Sequence, residues 1–225
     1  MNRRRRFWFF IALRTLANSL IITGIVFSFL SFAPYIQQEI WYWWKNLNQT
    51  THTEPTPPEN LAPKAQAVTL PALQEQPRDS SFGIIIEKIG VNAPVVANVD
   101  ASNYSEYIAA LSKGVAHAKG TALPGSTKSD NNNVFLFAHS AINAIEARMY
   151  NSVFYLLRKL EVGDRISTFY NGKRFDYIVS SKEVVQATDT RYLTDLSKEP
   201  ILTLQTCDPP GSSLRRLIIT AKLVQ

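Results

Sequence analysis

Along the chain the hydrophobic pattern changes twice, dividing it into three stretches. Residues 7–36 are almost continuously apolar, and Leu16 to Ala33 carries no charge over 18 positions. A run of that length is close to what crossing the hydrocarbon core of a bilayer requires. From Lys45 to Ser81 apolar positions thin out, and Pro55, Pro57, Pro58, Pro63, Pro71 and Pro77 stand among Thr, Gln and Asn. Such a segment can bury little, and its prolines stiffen it toward extended conformations, so it reads as a linker. From Phe82 onward, 144 residues, short apolar or alternating runs sit between turn signals. They predict strands at Phe82–Ile89, Ala93–Ala97, Asn133–Ala138, Arg165–Tyr170, Phe175–Ser180, Pro200–Thr206 and Leu217–Val224. Tyr104–Leu111 and Asn151–Leu160 read as short helices, the second because Val153, Leu156, Leu157 and Leu160 recur at helical spacing. Asn171-Gly172 between two strands is a hairpin signal. Many strands with few helices imply a mostly-β sandwich or barrel.

Charge orients this layout. The net charge of +6 looks at first like a nucleic-acid signature, but Arg3, Arg4, Arg5, Arg6 and Arg14 carry +5 of it. Residues 37–81 sum to −2 and residues 82–225 to +3, which removes the main support for nucleic-acid binding. A basic cluster ahead of an apolar span keeps the N-terminus in the cytoplasm and puts the remainder outside the cell membrane, a single-pass anchor. A cleaved signal peptide shares the order basic, then apolar. The run is long for that, and Pro34 directly after Ser31-Phe32-Ala33 makes a poor cleavage site. The aromatic quartet Trp41-Tyr42-Trp43-Trp44 suits the interfacial belt beside a span. The expected division is a cytoplasmic segment 1–14, a transmembrane helix 15–36, an aromatic juxtamembrane segment and linker 37–81, and a folded domain 82–225.

The candidate chemistry gathers near the C-terminus. Cys207 is the only cysteine, so no intrachain disulfide holds the fold. It ends Thr203-Leu204-Gln205-Thr206-Cys207, where alternation puts Leu202 and Leu204 on one face and Thr203, Gln205 and Cys207 on the other. In the following run Leu217, Ile219, Ala221 and Leu223 make the apolar face and Arg216 lies opposite, with Arg215 turned the other way. Thiol and guanidinium can thus both point out of the apolar interior. A cysteine nucleophile needs a proton partner and an oxyanion donor. His117 and His139 are the two histidines of the folded region, and both end strand-like runs. Each feature has a plainer reading: a lone cysteine is most often an inert core thiol, a strand-end histidine structural, and an arginine pair a solvated face.

The residues together resemble the sortases, over essentially all of 82–225 plus the anchor. Thr203-Leu204-Gln205-Thr206-Cys207 is similar to that family's Thr-Leu-x-Thr-Cys strand end, which carries the nucleophile. Arg216, nine residues later and leading into Leu217-Ile218-Ile219, matches the family's arginine, and Asn133 to Ser140 resembles the strand ending in the catalytic histidine, here His139. Leu111 to His117 with Pro124-Gly125, Phe154 to Asp164, and Ile89 to Val95 match structural landmarks. The departures are Ala138 where a glycine is common, Asp208 directly after the nucleophile, and a short Pro209-Pro210-Gly211 turn. A carboxylate at 208 would raise the thiol's pKa if it turned inward.

The resemblance implies a closed sortase-type β-barrel with a few short helices behind one transmembrane helix. It implies a cysteine transpeptidase that cleaves a C-terminal sorting signal of the Leu-Pro-x-Thr-Gly type through a thioester. The acyl group then passes to an amine of a cell-wall precursor or a pilin lysine. In it Cys207, His139 and Arg216 are catalytic and Thr206 supports the nucleophile's geometry. The partners are surface proteins bearing sorting signals, the amine acceptor and the membrane. No cofactor is expected, and no acidic cluster matches the calcium site of some sortases. A thiol hydrolase on the same scaffold, or an inactive sortase-like surface-binding protein, are the alternatives.

Overall fold

The computed structural model describes residues 3–49, 72–126, 131–140 and 152–224. A helix, α1 (Arg3–Gln49), opens the chain. Its stretch long and apolar enough to cross a membrane is Arg6–Leu30, 25 residues, none of it covered by protein. At 1.5 Å per residue that is about 37 Å, ample for a hydrocarbon core of about 30 Å. It lies nearer the N-terminus than the 15–36 read from the sequence. Arg14 lies eight positions inside that stretch, about 12 Å of helix, and its long side chain can extend back toward the interface.

Eight strands follow: β1 (Phe82–Ile86), β2 (Val91–Val99), β3 (Val115–Ala118), β4 (Asn133–Phe137), β5 (Arg165–Tyr170), β6 (Lys173–Gln186), β7 (Ile201–Asp208) and β8 (Arg215–Leu223). They close into a barrel in the order β1-β2-β3-β4-β7-β8-β6-β5. The β2–β3 and β4–β7 neighbours are parallel and the rest antiparallel. Helix α2 (Tyr104–Leu111) crosses between β2 and β3, and a single turn, α3 (Arg191–Thr194), interrupts the β6–β7 connection. The sandwich-or-barrel alternative resolves as a barrel, which leaves no open sheet edge.

Alternation along the strands builds two apolar clusters. Ile84, Ile86, Val134, Leu136, Leu202, Leu204, Leu217 and Ile219 fill the barrel. Phe135 and Phe137 point outward into a second cluster with Ala110 and Leu111 of α2. Asn171 and Gly172 both adopt positive φ, 49° and 75°, as a primed hairpin turn between β5 and β6 requires.

Three elements differ from the sequence reading. The run Phe82–Ile89 is a strand only to Ile86, then a 3-10 turn over Glu87–Ile89. The segment expected as a helix at Asn151–Leu160 is a 3-10 turn over Tyr155–Lys159. Phe154, Tyr155, Leu156, Leu157 and Leu160 are all buried, so the segment is a plug wedged into the core rather than a surface helix with one apolar stripe. Strand β6 runs to Gln186 because a register shift between Val179 and Ser181 resets the alternation, hiding its second half from a period-two reading.

Helix α1 does not stop at the membrane segment. Its last turns lie on the barrel: Glu39 is ion-paired with Arg158 and with Lys159, the latter at 3.3 Å. Lys159 sits over the Tyr42 ring, and Lys45 donates to the Glu87 carbonyl. Gly90, at φ 66°, lies under Trp41 so closely that any Cβ there would run into the indole. The aromatic quartet is thus divided: Tyr42 packs on the barrel and Trp41 touches Gly90 while staying 42% exposed, whereas Trp43 and Trp44 are more than 60% exposed. Of the segment expected as linker, 50–71 lies outside the described residues. Residues 74–78 hold to the barrel through Gln74 N to Glu87 (2.6 Å) and Arg78 N to Asn92 (2.9 Å).

Candidate active site

Strands β4, β7 and β8 are neighbours, and their registers decide what meets at their ends. Phe137 of β4 is level with Gln205 of β7, and Cys207 of β7 lies opposite Arg216 of β8. Two bonds carry the β4–β7 pairing further. The Ala138 N–H donates to the Gln205 carbonyl at 3.2 Å, and the Thr206 hydroxyl donates to the Ala138 carbonyl at 2.8 Å. Continuing that register by two residues brings His139 level with Cys207. His139, Cys207 and Arg216 therefore form a row across three strands, roughly 5 Å apart from backbone to backbone. Parity agrees: Leu202 and Leu204 face the core, so Gln205 and Cys207 face out, on the side of Phe137 and His139.

The row borders a cleft of about 300 Å³ on the outer face of the barrel, walled by Tyr107 of α2 and Leu193 of α3. His139, Thr206, Cys207 and Arg216 all line it. A larger crevice of about 400 Å³ lies between α1 and the barrel and includes none of these four.

The guanidinium of Arg216 is steadied by the turn preceding it. Its Nη1 donates to the carbonyls of Ser213 (2.9 Å) and Arg215 (3.0 Å), while Nε and Nη2 carry three further N–H groups. The neighbouring cross-strand pair has opposite parity, and there Asp208 is ion-paired with Arg215 at 3.0 Å. Burial lowers the pKa of Arg158 below the ordinary arginine value, and the charge of Asp208 opposes this. The carboxylate that follows Cys207 is thus engaged by cations instead of turning toward the thiol.

His117 is elsewhere. It is fully buried, and both ring nitrogens are occupied: the Asn98 N–H donates to Nδ1 at 3.2 Å, and Nε2 lies 2.9 Å from both the Ala122 carbonyl and Thr121 Oγ1. Because Nδ1 accepts, the proton sits on Nε2 and the ring is neutral. Burial also lowers its pKa, against the hydrogen bond to Ala122, which raises it. Its ring packs near Phe82 at 5.7 Å, and the Cys207 cleft does not include it.

The cleft also contains residues that no sequence signal singles out. Tyr107 appeared only as part of a short helix, although Tyr107 and Leu111, four apart, share the face turned to the barrel. Asp189, Thr190 and Leu193 come from the β6–β7 connection, which carries no periodic signal.

A family model for the sortase domain matches residues 84–224. The chain belongs to the sortase family. No curated protein matches it. Sortase C-1 of Actinomyces oris is similar in structure, with a TM-score of 0.53 and 26% identity over 66% of this chain and 76% of that one. A sortase D5 transpeptidase of Clostridium perfringens gives 0.51 and 28% over 67% and 82%. A lid mutant of sortase A from Corynebacterium diphtheriae gives 0.52 and 25% over 68% and 74%. The likeness spans sortases named A, C and D, so it marks the family and no one subclass. A sortase-type transpeptidase domain on a barrel, behind an apolar N-terminal helix, is the architecture of this protein.

Proposed function

We propose that this sortase cleaves a C-terminal sorting signal of the Leu-Pro-x-Thr-Gly class and joins the released acyl group to an amine on a cell-wall precursor or a pilin. The observation that carries this reading is the row His139–Cys207–Arg216, with the histidine and the arginine on the chain segments that flank β7 on either side and all three lining one cleft.

The chemistry follows from that order. Cys207 Sγ attacks the carbonyl carbon of the Thr-Gly bond, forming a C–S bond while the thiol proton passes to His139. The carbonyl oxygen gains negative charge beside Arg216, whose N–H groups stabilise it. The C–N bond then breaks, His139 returns its proton to the departing glycine amine, and a thioester remains on Cys207. An incoming amine attacks the thioester, gives a proton to His139, and expels the sulfur, which recovers that proton. One amide bond is exchanged for another, without an oxidant or an energy source. Thr206 supports the sulfur by tying β7 to the residue before His139. The apolar helix confines enzyme and tethered substrates to one surface, raising their effective concentration.

The test is the full chain in detergent with a sorting peptide, with and without an amine acceptor such as triglycine, read by mass. A ligated product that disappears in Cys207→Ala is expected. Hydrolysed product alone with every acceptor tried would make the protein a thiol hydrolase.

A further inference from the structure

His139 stands two residues past the end of β4, beyond the regular ladder, yet its imidazole has to face a sulfur on the next strand. Its backbone is held, since the Phe154 N–H donates to the His139 carbonyl at 3.3 Å. The side chain is held from another element. The ring of Tyr107 lies parallel to Phe137, with centroids 5.7 Å apart and planes at 11°. The same ring meets the His139 imidazole edge-on, at 6.1 Å and 80°. Tyr107 is itself fixed by its helix. Asn103 caps α2 by accepting from the Glu106 N–H, and Ala110 and Leu111 anchor the helix in the outer apolar cluster. One rigid aromatic side chain therefore links α2, β4 and the imidazole.

Its phenol also belongs to the cleft. Burial raises its pKa above the ordinary tyrosine value, a negative charge on Cys207 adds to this, and Arg216 opposes it. The hydroxyl is within electrostatic reach of the thiol and the guanidinium, and it keeps its proton at neutral pH.

We propose that Tyr107 is a positioning residue that holds the His139 imidazole toward Cys207, an inference that rests on the Cys207–His139 reading above. The ring does the holding, so Tyr107→Phe retains it. Tyr107→Leu keeps an apolar side chain under α2 but removes the aromatic edge.

The test needs no sorting peptide, because Cys207 is the only thiol in the chain. Full-length protein in detergent is alkylated with iodoacetamide at neutral pH and the rate is followed by mass, in wild type, Tyr107→Leu, Tyr107→Phe, His139→Gln and the double variant Tyr107→Leu/His139→Gln. Tyr107→Leu is expected to slow alkylation several-fold in the same direction as His139→Gln, and to add nothing in the double variant. Tyr107→Phe should stay within about twofold of wild type, the margin within which independent effects are read. An equal effect of Tyr107→Leu with and without His139 overturns the proposal, as does the absence of any effect while His139→Gln slows the reaction. An unchanged rate in His139→Gln overturns the Cys207–His139 pairing itself, and this proposal with it. If Tyr107→Leu does not fold, Tyr107→Met makes the same comparison.

Discussion

His117 is neutral in the barrel because its two nitrogens are committed, one accepting from Asn98 and one donating to Ala122. Its pKa in the folded chain is lowered by burial, so between that value and about 6.5 the unfolded chain binds more protons. The stability this histidine contributes is complete above about 6.5 and declines as pH falls below it. His117→Gln retains a donor near Nε2 and loses the acceptor at Nδ1, which should cost about 1–3 kcal/mol at neutral pH. Urea unfolding should show the gap between wild type and variant narrowing from pH 7.5 to pH 5.5; a gap independent of pH would mean the imidazole is not held neutral. His139 shares the outward parity of Phe135 and Phe137, whereas His117 shares the inward parity of Val115. The run Val115-Ala116-His117-Ala118 is buried on both faces, so its alternation could not separate the two histidines in advance. For Arg216 the expected result is different in kind. Replacement by alanine should lower kcat for peptide cleavage about 100- to 1000-fold, the usual loss of an oxyanion donor, with the fold intact by circular dichroism.

Elements whose signals are local were legible in the sequence, and those set by distant contacts were not. Tyr104–Leu111 is a helix over the expected residues, and Asn171-Gly172 turns as its chemistry requires. The parity of Cys207 and Arg216 could be read because β7 and β8 alternate cleanly around Leu202, Leu204, Leu217 and Ile219. By contrast, nothing in Trp41 or in Gly90 announces the other. Their contact exists because α1 continues beyond its apolar part and lands on the 3-10 turn after β1. This makes a prediction about the element. Gly90→Ala carries two penalties in the full chain: positive φ, about 1–2 kcal/mol for a residue with a Cβ, and the clash with the indole. In a Trp41→Ala background the clash is gone and the φ penalty remains. Thermal unfolding of the four proteins in detergent should therefore show the Gly90→Ala loss shrinking when Trp41 is absent. Equal losses in both backgrounds would mean that α1 does not dock there.

At the scale of the whole molecule, in the membrane-anchored arrangement proposed above the docked helix would set the height of the barrel. Trp41 lies eleven positions beyond Leu30, the end of the apolar span, which at 1.5 Å each is about 16 Å of helix. The barrel then begins close to the headgroups, and Glu39, held by Arg158 and Lys159, fixes the rotation of the helix against it. These ion pairs are half-exposed and contribute modestly to stability, so the packing of Trp41 and Tyr42 carries most of the attachment. By the positive-inside rule the four arginines at 3–6 favour a cytoplasmic start for the helix, and the orientation we propose on that ground puts Cys207 on the outer surface. A single thiol makes that orientation measurable. A maleimide too polar to cross the membrane should label wild-type protein in intact cells and leave Cys207→Ala unlabelled. Labelling that appears only after the cells are permeabilised would reverse the orientation and remove the chain's access to surface substrates. Moving the arginines offers a second arm: with Arg3–Arg6 replaced by neutral residues and a basic cluster added after Trp44, labelling in intact cells should fall, because the charge bias that orients the span has been inverted.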